Sequence, residues 1–297
     1  MSVLQELQEA VGRVARDVGP SVVGLGRGWG FGSGIVTGEG SILTNAHNLR
    51  RDEVTVTFAD GREATGRVAG VDADGDLAVI SVETGPAPPV KWSENGTEPV
   101  VGTPVFALAN PGGRGLRTTF GLVSATGRSF RGPRGRRITG SIEHTAPLVR
   151  GSSGGPVVDE SGRVLGINTI RLEGSLILAL AADASLRERA EALARGESPS
   201  RRALGIAIAP PRAGRRMRRA VGLPELDGLL VRDVMEATPA ARAGLERGDL
   251  VVAAAGQPLA RVDDLFRVLD AVADGKLELT VVRGIDERKV KVSFEEA

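Results

Sequence analysis

Cysteine is absent from the 297 residues, which removes disulfide staples, thiolate zinc sites and a cysteine nucleophile together. Net charge is missing too. With 38 Lys and Arg against 37 Asp and Glu, there is no whole-molecule field to gather nucleic acid or an anionic membrane, and any basic site has to be local. Residues 1–20 carry Glu6, Glu9 and Asp17 and no continuous apolar stretch, so neither a secretory leader nor a membrane span is legible there. As written the chain reads as cytoplasmic, or as periplasmic or extracellular if a leader has been removed. Histidine occurs twice, at His47 and His144, so imidazole chemistry has few candidates.

What is present in quantity is glycine, 41 residues, with 16 prolines and many short Val/Ile/Leu runs, a turn-dense and mainly β composition. The length suits one large and one small domain. Leu4, Leu7, Val11, Val14 and Val18 recur at helical spacing and predict an N-terminal helix over 1–20, stopped by Gly19-Pro20. Short strand patterns then follow through a β domain spanning 21–195, among them Ser41 to Thr44, alternating Val54, Val56 and Phe58, and Leu77 to Val82. That domain ends in a charged helical stretch at about Ala184 to Ala194. A Gly/Glu/Ser/Pro stretch reads as a linker over 196–203, and 204–297 alternates strand and helix patterns as a small α/β module, with Thr238 and Pro239 as cap and first residue of a short helix.

The chemistry concentrates at Gly151-Ser152-Ser153-Gly154-Gly155. A serine hydroxyl becomes a nucleophile only with a base to take its proton and donors to hold the oxyanion, and flanking glycines let the Gly151 and Ser153 N–H groups turn toward one point. Taken alone, the same string reads equally well as a Gly/Ser turn. His47 follows the apolar run Ser41 to Thr44 and so sits at the end of a rigid element. Asp76 opens the apolar run Leu77 to Ile80 and is the preferred orienting carboxylate. Asp72 and Asp74 compete for that role and read instead as solvated loop residues. The order His, Asp, Ser is that of the chymotrypsin-type barrels.

With those residues in place, the strings FGSGIV (31–36), ILTNAHNL (42–49), DLAVI (76–80), ALANPGG (107–113), GLVSATGRS (121–129), RGSSGGPVVD (150–159) and VLGINT (164–169) resemble the protease domain of the HtrA/Deg family. The likeness runs in order through nearly all of 20–186. It implies a chymotrypsin-like double β-barrel in which His47 is general base, Asp76 its orienter and Ser153 the nucleophile, with Gly151 and Ser153 as the oxyanion hole. The strings GLLVRDV (228–234) and TPAARAGLERGDLVVAAAGQPL (238–259) resemble a PDZ domain, in which Leu204, Gly205 and Ile206 would form the loop and strand that take a peptide C-terminus.

The resemblance further implies cleavage of unfolded or misfolded proteins without cofactor or metal. It implies a homotrimer built through the N-terminal region, where Trp29 and Phe31 are the aromatics, and loops at Asn110 to Thr119, Ser129 to Gly140 and Arg171 to Ser175 that switch the site. The strand Leu176 to Ala181 would line a pocket for small aliphatic side chains. There are departures. Ser152 replaces the family's usual Asn, Ala109 replaces a Gly, and Thr145, preceded by His144, replaces an Asp. Activity is expected to survive these, with His144 structural. Two clusters of five arginines, within 128–137 and 212–219, have few aromatics beside them and read as solvated or regulatory loops rather than a nucleic-acid surface. The rival reading is a non-hydrolytic peptide binder on the same fold.

Overall fold

Six antiparallel strands close the first ring: β1 (Val22–Leu25), β2 (Gly32–Gly38), β3 (Ser41–Thr44), β4 (Glu53–Thr57), β5 (Glu63–Asp72) and β6 (Leu77–Ser81), in the order β1-β2-β3-β6-β5-β4 with β4 returning to β1. The inward positions Val23, Leu25, Val36, Ile42, Val56, Phe58, Ile80 and Val82 fill it. The computed structural model describes residues 2–26, 32–93, 99–199, 202–272 and 275–294. Trp29, Phe31 and linker positions 200 and 201 lie outside the described residues.

The second ring follows a short strand, β7 (Lys91–Trp92), and comprises β8 (Pro104–Ala109), β9 (Arg117–Arg131), β10 (Arg137–His144), β11 (Pro156–Val158), β12 (Arg163–Arg171) and β13 (Ile177–Ala181). Its order is β11-β8-β9-β10-β13-β12. Pairing of β11 with both β8 and β12 closes the circuit, while β7 runs parallel to β12 outside it. The expected double β-barrel is therefore built, and closure removes sheet edges that would otherwise pair with other chains.

Helix α1 (Val3–Val18) opens with a capping box in which Ser2 and Gln5 satisfy each other's backbone N–H groups. Its stripe is buried only toward the C-terminal end: Val14 and Val18 are covered, whereas Leu4 of the expected face stays 77% exposed. Helix α2 (Ala184–Ala194) is capped by Asp183 and buries Leu186, Ala190 and Leu193. One apolar cluster joins these helices to both rings through Ile35, Leu43, Leu77, Phe106, Leu108, Ile167 and Leu180. That continuous core fixes the first ring, which carries His47 and Asp76, against the second, which carries Ser153.

Residues Ser200–Ala297 form a second compact unit, distinct from Met1–Pro199. It contains β14 (Ile206–Ile208), α3 (Pro211–Ala220), β15 (Leu229–Val234), α4 (Pro239–Arg242), β16 (Leu250–Ala254), β17 (Gln257–Pro258), α5 (Val262–Ala271), β18 (Lys276–Arg283) and β19 (Asp286–Ser293). The sheet order is β14-β15-β16-β18-β19, with β17 on β16. Leu229, Val231, Val251, Leu265, Leu269, Leu279 and Val281 form its core.

The second arginine cluster is a helix rather than a solvated loop. α3 starts with Pro at its first position and brings Gly214 against Leu230. Arg218, only 2% exposed, donates to the carbonyls of Pro224 and Gly284. Its sequence hid it because arginines fill half of the positions and leave little apolar periodicity.

Candidate active site

β3 and β6 are neighbours in the first ring, with Thr44 opposite Ala78, so the residues just beyond Thr44 meet those just before Leu77. After Asn45 the chain makes one 3-10 turn, Ala46–Asn48, which presents His47. On the other side, β5 and β6 are joined by a hairpin in which the Asp72 carboxylate accepts from the Gly75 N–H at 2.9 Å. Asp76 itself takes a left-handed conformation, φ 55°, a region that Asp enters more readily than most residues.

The Asp76 side chain is fully buried and meets several donors. His47 Nδ1 lies 3.0 Å from Oδ1 and 2.9 Å from Oδ2, the His47 backbone N–H donates to Oδ1 at 3.1 Å, and the Thr169 hydroxyl donates to Oδ2 at 2.7 Å. Asn45 Nδ2 adds a hydrogen bond to the Asp76 carbonyl at 3.0 Å. With Nδ1–H committed to the carboxylate, the imidazole leaves Nε2 as its lone-pair nitrogen.

Asp72 and Asp74 do not behave as the solvated residues expected from sequence. Both are buried, Asp72 against Arg189 at 3.4 Å and Asp74 against Arg136 at 3.0 Å. Arg136 comes from the first arginine cluster, which folds into the β9–β10 hairpin.

Ser153 lies between β10 and β11, and its hydroxyl donates to the carbonyl of Thr169 at 2.8 Å. Among the described residues it makes no hydrogen bond to the His47 ring, so the base is paired with its carboxylate while the alcohol points to β12. His47 and Ser153 nevertheless line one cavity of about 340 Å³, with Leu148, Val149, Ile170 and Ile177 as apolar lining. Neither the Gly151 nor the Ser153 N–H finds an acceptor among the described residues.

The turn that holds Ser153 is fixed from several sides. The Ser33 N–H and Asn48 Nδ2 both donate to the Ser153 carbonyl, at 2.8 and 2.9 Å. The Ser33 hydroxyl donates to the Gly151 carbonyl at 2.9 Å and accepts from the Asn110 N–H at 3.0 Å. Gly154 has φ 89°, and a Cβ there would collide with the Ser33 carbonyl oxygen. Ser152 is buried, with its hydroxyl unpaired among the described residues.

Asn168 completes the support: Nδ2 donates to the carbonyls of Gly155 and Pro156, both at 3.0 Å, and its own carbonyl accepts from the Gly154 N–H at 2.8 Å. Those amide hydrogens leave Oδ1 to accept from His144 Nε2 at 2.8 Å. His144 is fully buried, and its Nδ1 has no partner among the described residues. Burial pushes its pKa below the usual imidazole value, with the Asn168 hydrogen bond opposing.

Ser33, Asn48, Asn168 and Thr169 carry no role that the sequence announces, although each falls inside one of the family-like strings. For three of them, partners lie across the fold, 77 to 120 residues away for Ser33, 105 for Asn48 and 93 for the Thr169 hydroxyl, beyond any local pattern.

In the second unit, Leu204 is buried and Gly205 takes φ 80°, where a Cβ would collide with Thr238. Ile206 heads β14, the terminal strand of its sheet, opposite Val234. Such an edge can accept another strand.

Residues 32–167 match the family described as trypsin-like peptidase domain, and residues 230–283 the family described as PDZ domain. A putative serine protease HhoA of Synechocystis sp. is 35% identical over 285 residues, covering 92% of this chain and 71% of that protein. A probable periplasmic serine endoprotease DegP-like of Pseudomonas savastanoi pv. phaseolicola is 33% identical over 271 residues, 89% of this chain and 55% of its own, so this chain spans about half of that relative's length. The crystal structure of the serine endoprotease from Yersinia pestis superimposes with a TM-score of 0.61 at 25% identity, covering 95% of this chain and 96% of that one.

Proposed function

The chain belongs to the HtrA/DegP-like family of serine proteases, a trypsin-like peptidase domain joined to a PDZ domain, and from that premise we propose that it cleaves unfolded or misfolded proteins through an acyl-enzyme on Ser153. The observation that carries this reading is the His47 imidazole held 2.9 Å from the buried Asp76 carboxylate in the cavity that also contains Ser153. Rotation of the Ser153 side chain from the Thr169 carbonyl toward His47 Nε2 exchanges one hydrogen bond of about 1 kcal/mol for another. As Oγ attacks the scissile carbonyl, its proton passes to Nε2, and the imidazolium stays beside the carboxylate. The tetrahedral oxyanion takes the Gly151 and Ser153 N–H groups, each donor of this kind being worth about 2.7–4 kcal/mol. His47 then protonates the leaving amine. Water, deprotonated by the same nitrogen, releases the acyl group.

Ile177, Ile170 and Leu148 in the cleft favour a small aliphatic side chain before the cut bond. Peptide C-termini are proposed to add to the β14 edge, with the Leu204-Gly205-Ile206 segment receiving the carboxylate and raising the local concentration of substrate. A homotrimer is proposed on family grounds. The name of the Pseudomonas relative supports a periplasmic site of action, and no helix among the described residues is long and apolar enough to cross a membrane.

Casein digestion and fluorophosphonate labelling, run on the wild type and on Ser153→Ala, test the reading. Wild type alone should digest and label. Equal digestion by both would place the chemistry elsewhere, and absence of labelling under every peptide and temperature condition would favour the non-hydrolytic peptide binder, which the protease relatives do not support.

A further inference from the structure

Three arginines line the cavity that holds His47 and Ser153: Arg50, Arg150 and Arg171. They come from three separate segments of the chain. Arg50 follows His47 by three residues, Arg150 precedes Ser153 by three, and Arg171 ends β12 two residues after Thr169. All three are exposed, and none forms an ion pair among the described residues. Among the described residues no aspartate or glutamate lines this cavity. In a chain with 38 basic and 37 acidic residues, a lining of three cations and no anion is a local departure from the balance of the whole.

The positive lining continues past the histidine. A neighbouring cavity of about 400 Å³ shares His47 and Arg50 and adds Arg51 and Arg134. Asp52 is its one acidic member among the described residues, leaving an excess of cations there as well. Arg134 belongs to the β9–β10 hairpin, whose Arg136 is locked onto Asp74, so that hairpin tip is held beside the cleft. The apolar lining supplied by Leu148, Ile170 and Ile177 suits the side chain next to the scissile bond. Residues further along an extended substrate on either side would pass the guanidinium groups.

We infer that Arg50, Arg150 and Arg171 make the protease selective for segments in which a small aliphatic residue at the cut is flanked by aspartate or glutamate. The inference rests on the reading of this cleft as the proteolytic site. A guanidinium presents a planar fork of donors that matches a carboxylate, and an unpaired one in an open cleft has no internal anion to give up. Exposed pairs are each worth a few-fold in affinity and are screened by salt, and clefts lined by one sign of charge also raise the encounter rate of oppositely charged ligands. Lysine-flanked segments meet repulsion in the same place.

The test uses the full-length chain and internally quenched peptides with a common Ala-Val centre and two residues on each side set to Glu, Gln or Lys. The expected order of kcat/KM is Glu above Gln above Lys. The Glu-to-Lys ratio should be about ten-fold near 0.05 M salt and shrink toward two-fold near 0.5 M. In Arg50→Gln/Arg150→Gln/Arg171→Gln the ratio should fall to about one. Because the ratio compares two peptides on one enzyme, a general loss of folding or activity cancels from it. Equal rates for Glu and Lys peptides in wild type, or an unchanged ratio in the triple variant, overturns the inference while leaving the protease reading standing. If no peptide is cut and Ser153 takes no fluorophosphonate, the protease reading and the inference both fall.

Discussion

The Thr169 hydroxyl donates to the Asp76 carboxylate at 2.7 Å, linking β12 of the second ring to the hairpin of the first across 93 residues of sequence. The carbonyl of the same threonine accepts from the Ser153 hydroxyl at 2.8 Å. One residue thus touches two of the three proposed catalytic groups. Thr169→Val keeps the carbonyl and the shape but removes the donor. A hydrogen bond to a charged group is worth about 1.5–3 kcal/mol, so kcat should drop about ten- to a hundred-fold with KM little changed, and Thr169→Ser should restore most of it. Steady-state kinetics on a fluorogenic peptide reads the result, and an unchanged kcat in the valine variant would refute the role.

His144 predicts an acid sensitivity of stability. Its folded pKa is lowered by burial against an unfolded value near 6.5, so the folded state holds fewer protons than the unfolded state below that pH. The contribution is complete above about pH 6.5 and is lost as the pH falls further, levelling off once the folded pKa is reached, with a slope of at most about 1.4 kcal/mol per pH unit. His144→Gln retains a donor for Asn168 and removes the titration. Its stability should therefore decline less than the wild type's between about pH 6.5 and 5 in denaturant titrations. Parallel curves for the two proteins would contradict the assignment.

The Asp74–Arg136 ion pair, with both side chains 8% exposed, pins the β9–β10 hairpin to the turn that carries Asp76. Removing one partner of a buried pair leaves an uncompensated charge, so Arg136→Ala should cost about 3–5 kcal/mol, and replacing both partners, Asp74→Leu with Arg136→Met, should cost much less. Urea unfolding of the two variants decides the point. Similar losses in both would mean that the pairing matters less than the packing around it.

Gly154→Ala should abolish both digestion and fluorophosphonate labelling, because a methyl there meets the Ser33 carbonyl and the residue needs φ 89°. Labelling at the wild-type rate would show that the Ser153 turn is looser than its hydrogen bonds indicate.

Much of the first unit was legible because its signals are local: apolar alternation marks β4, Gly-rich turns separate the short strands, and the Thr44-Asn45-Ala46-His47 string places an imidazole at a strand end. Contacts made across the fold were not legible. Asp72 and Asp74 carry the sequence look of solvated turn residues and are instead buried by Arg189 and Arg136, from elements 117 residues away in the first case and on the β9–β10 hairpin in the second. α3 escaped notice because helix formation there rests on Pro211, a buried Arg218 and packing against Leu230 rather than on an apolar stripe. Leu4 shows the reverse error, since its spacing fits the helical face but no core reaches that far toward the N-terminus.

The left-handed backbone at Asp76 restricts which residues can follow aspartate there. Asn and Gly enter that region readily, whereas β-branched residues resist it. Descendants of this protein that abandon catalysis at position 76 while preserving the hairpin are therefore expected to carry Asn or Gly. Val or Ile at the same codon would disturb the β5–β6 connection as well as the chemistry, so that lineage would lose its architecture along with its activity.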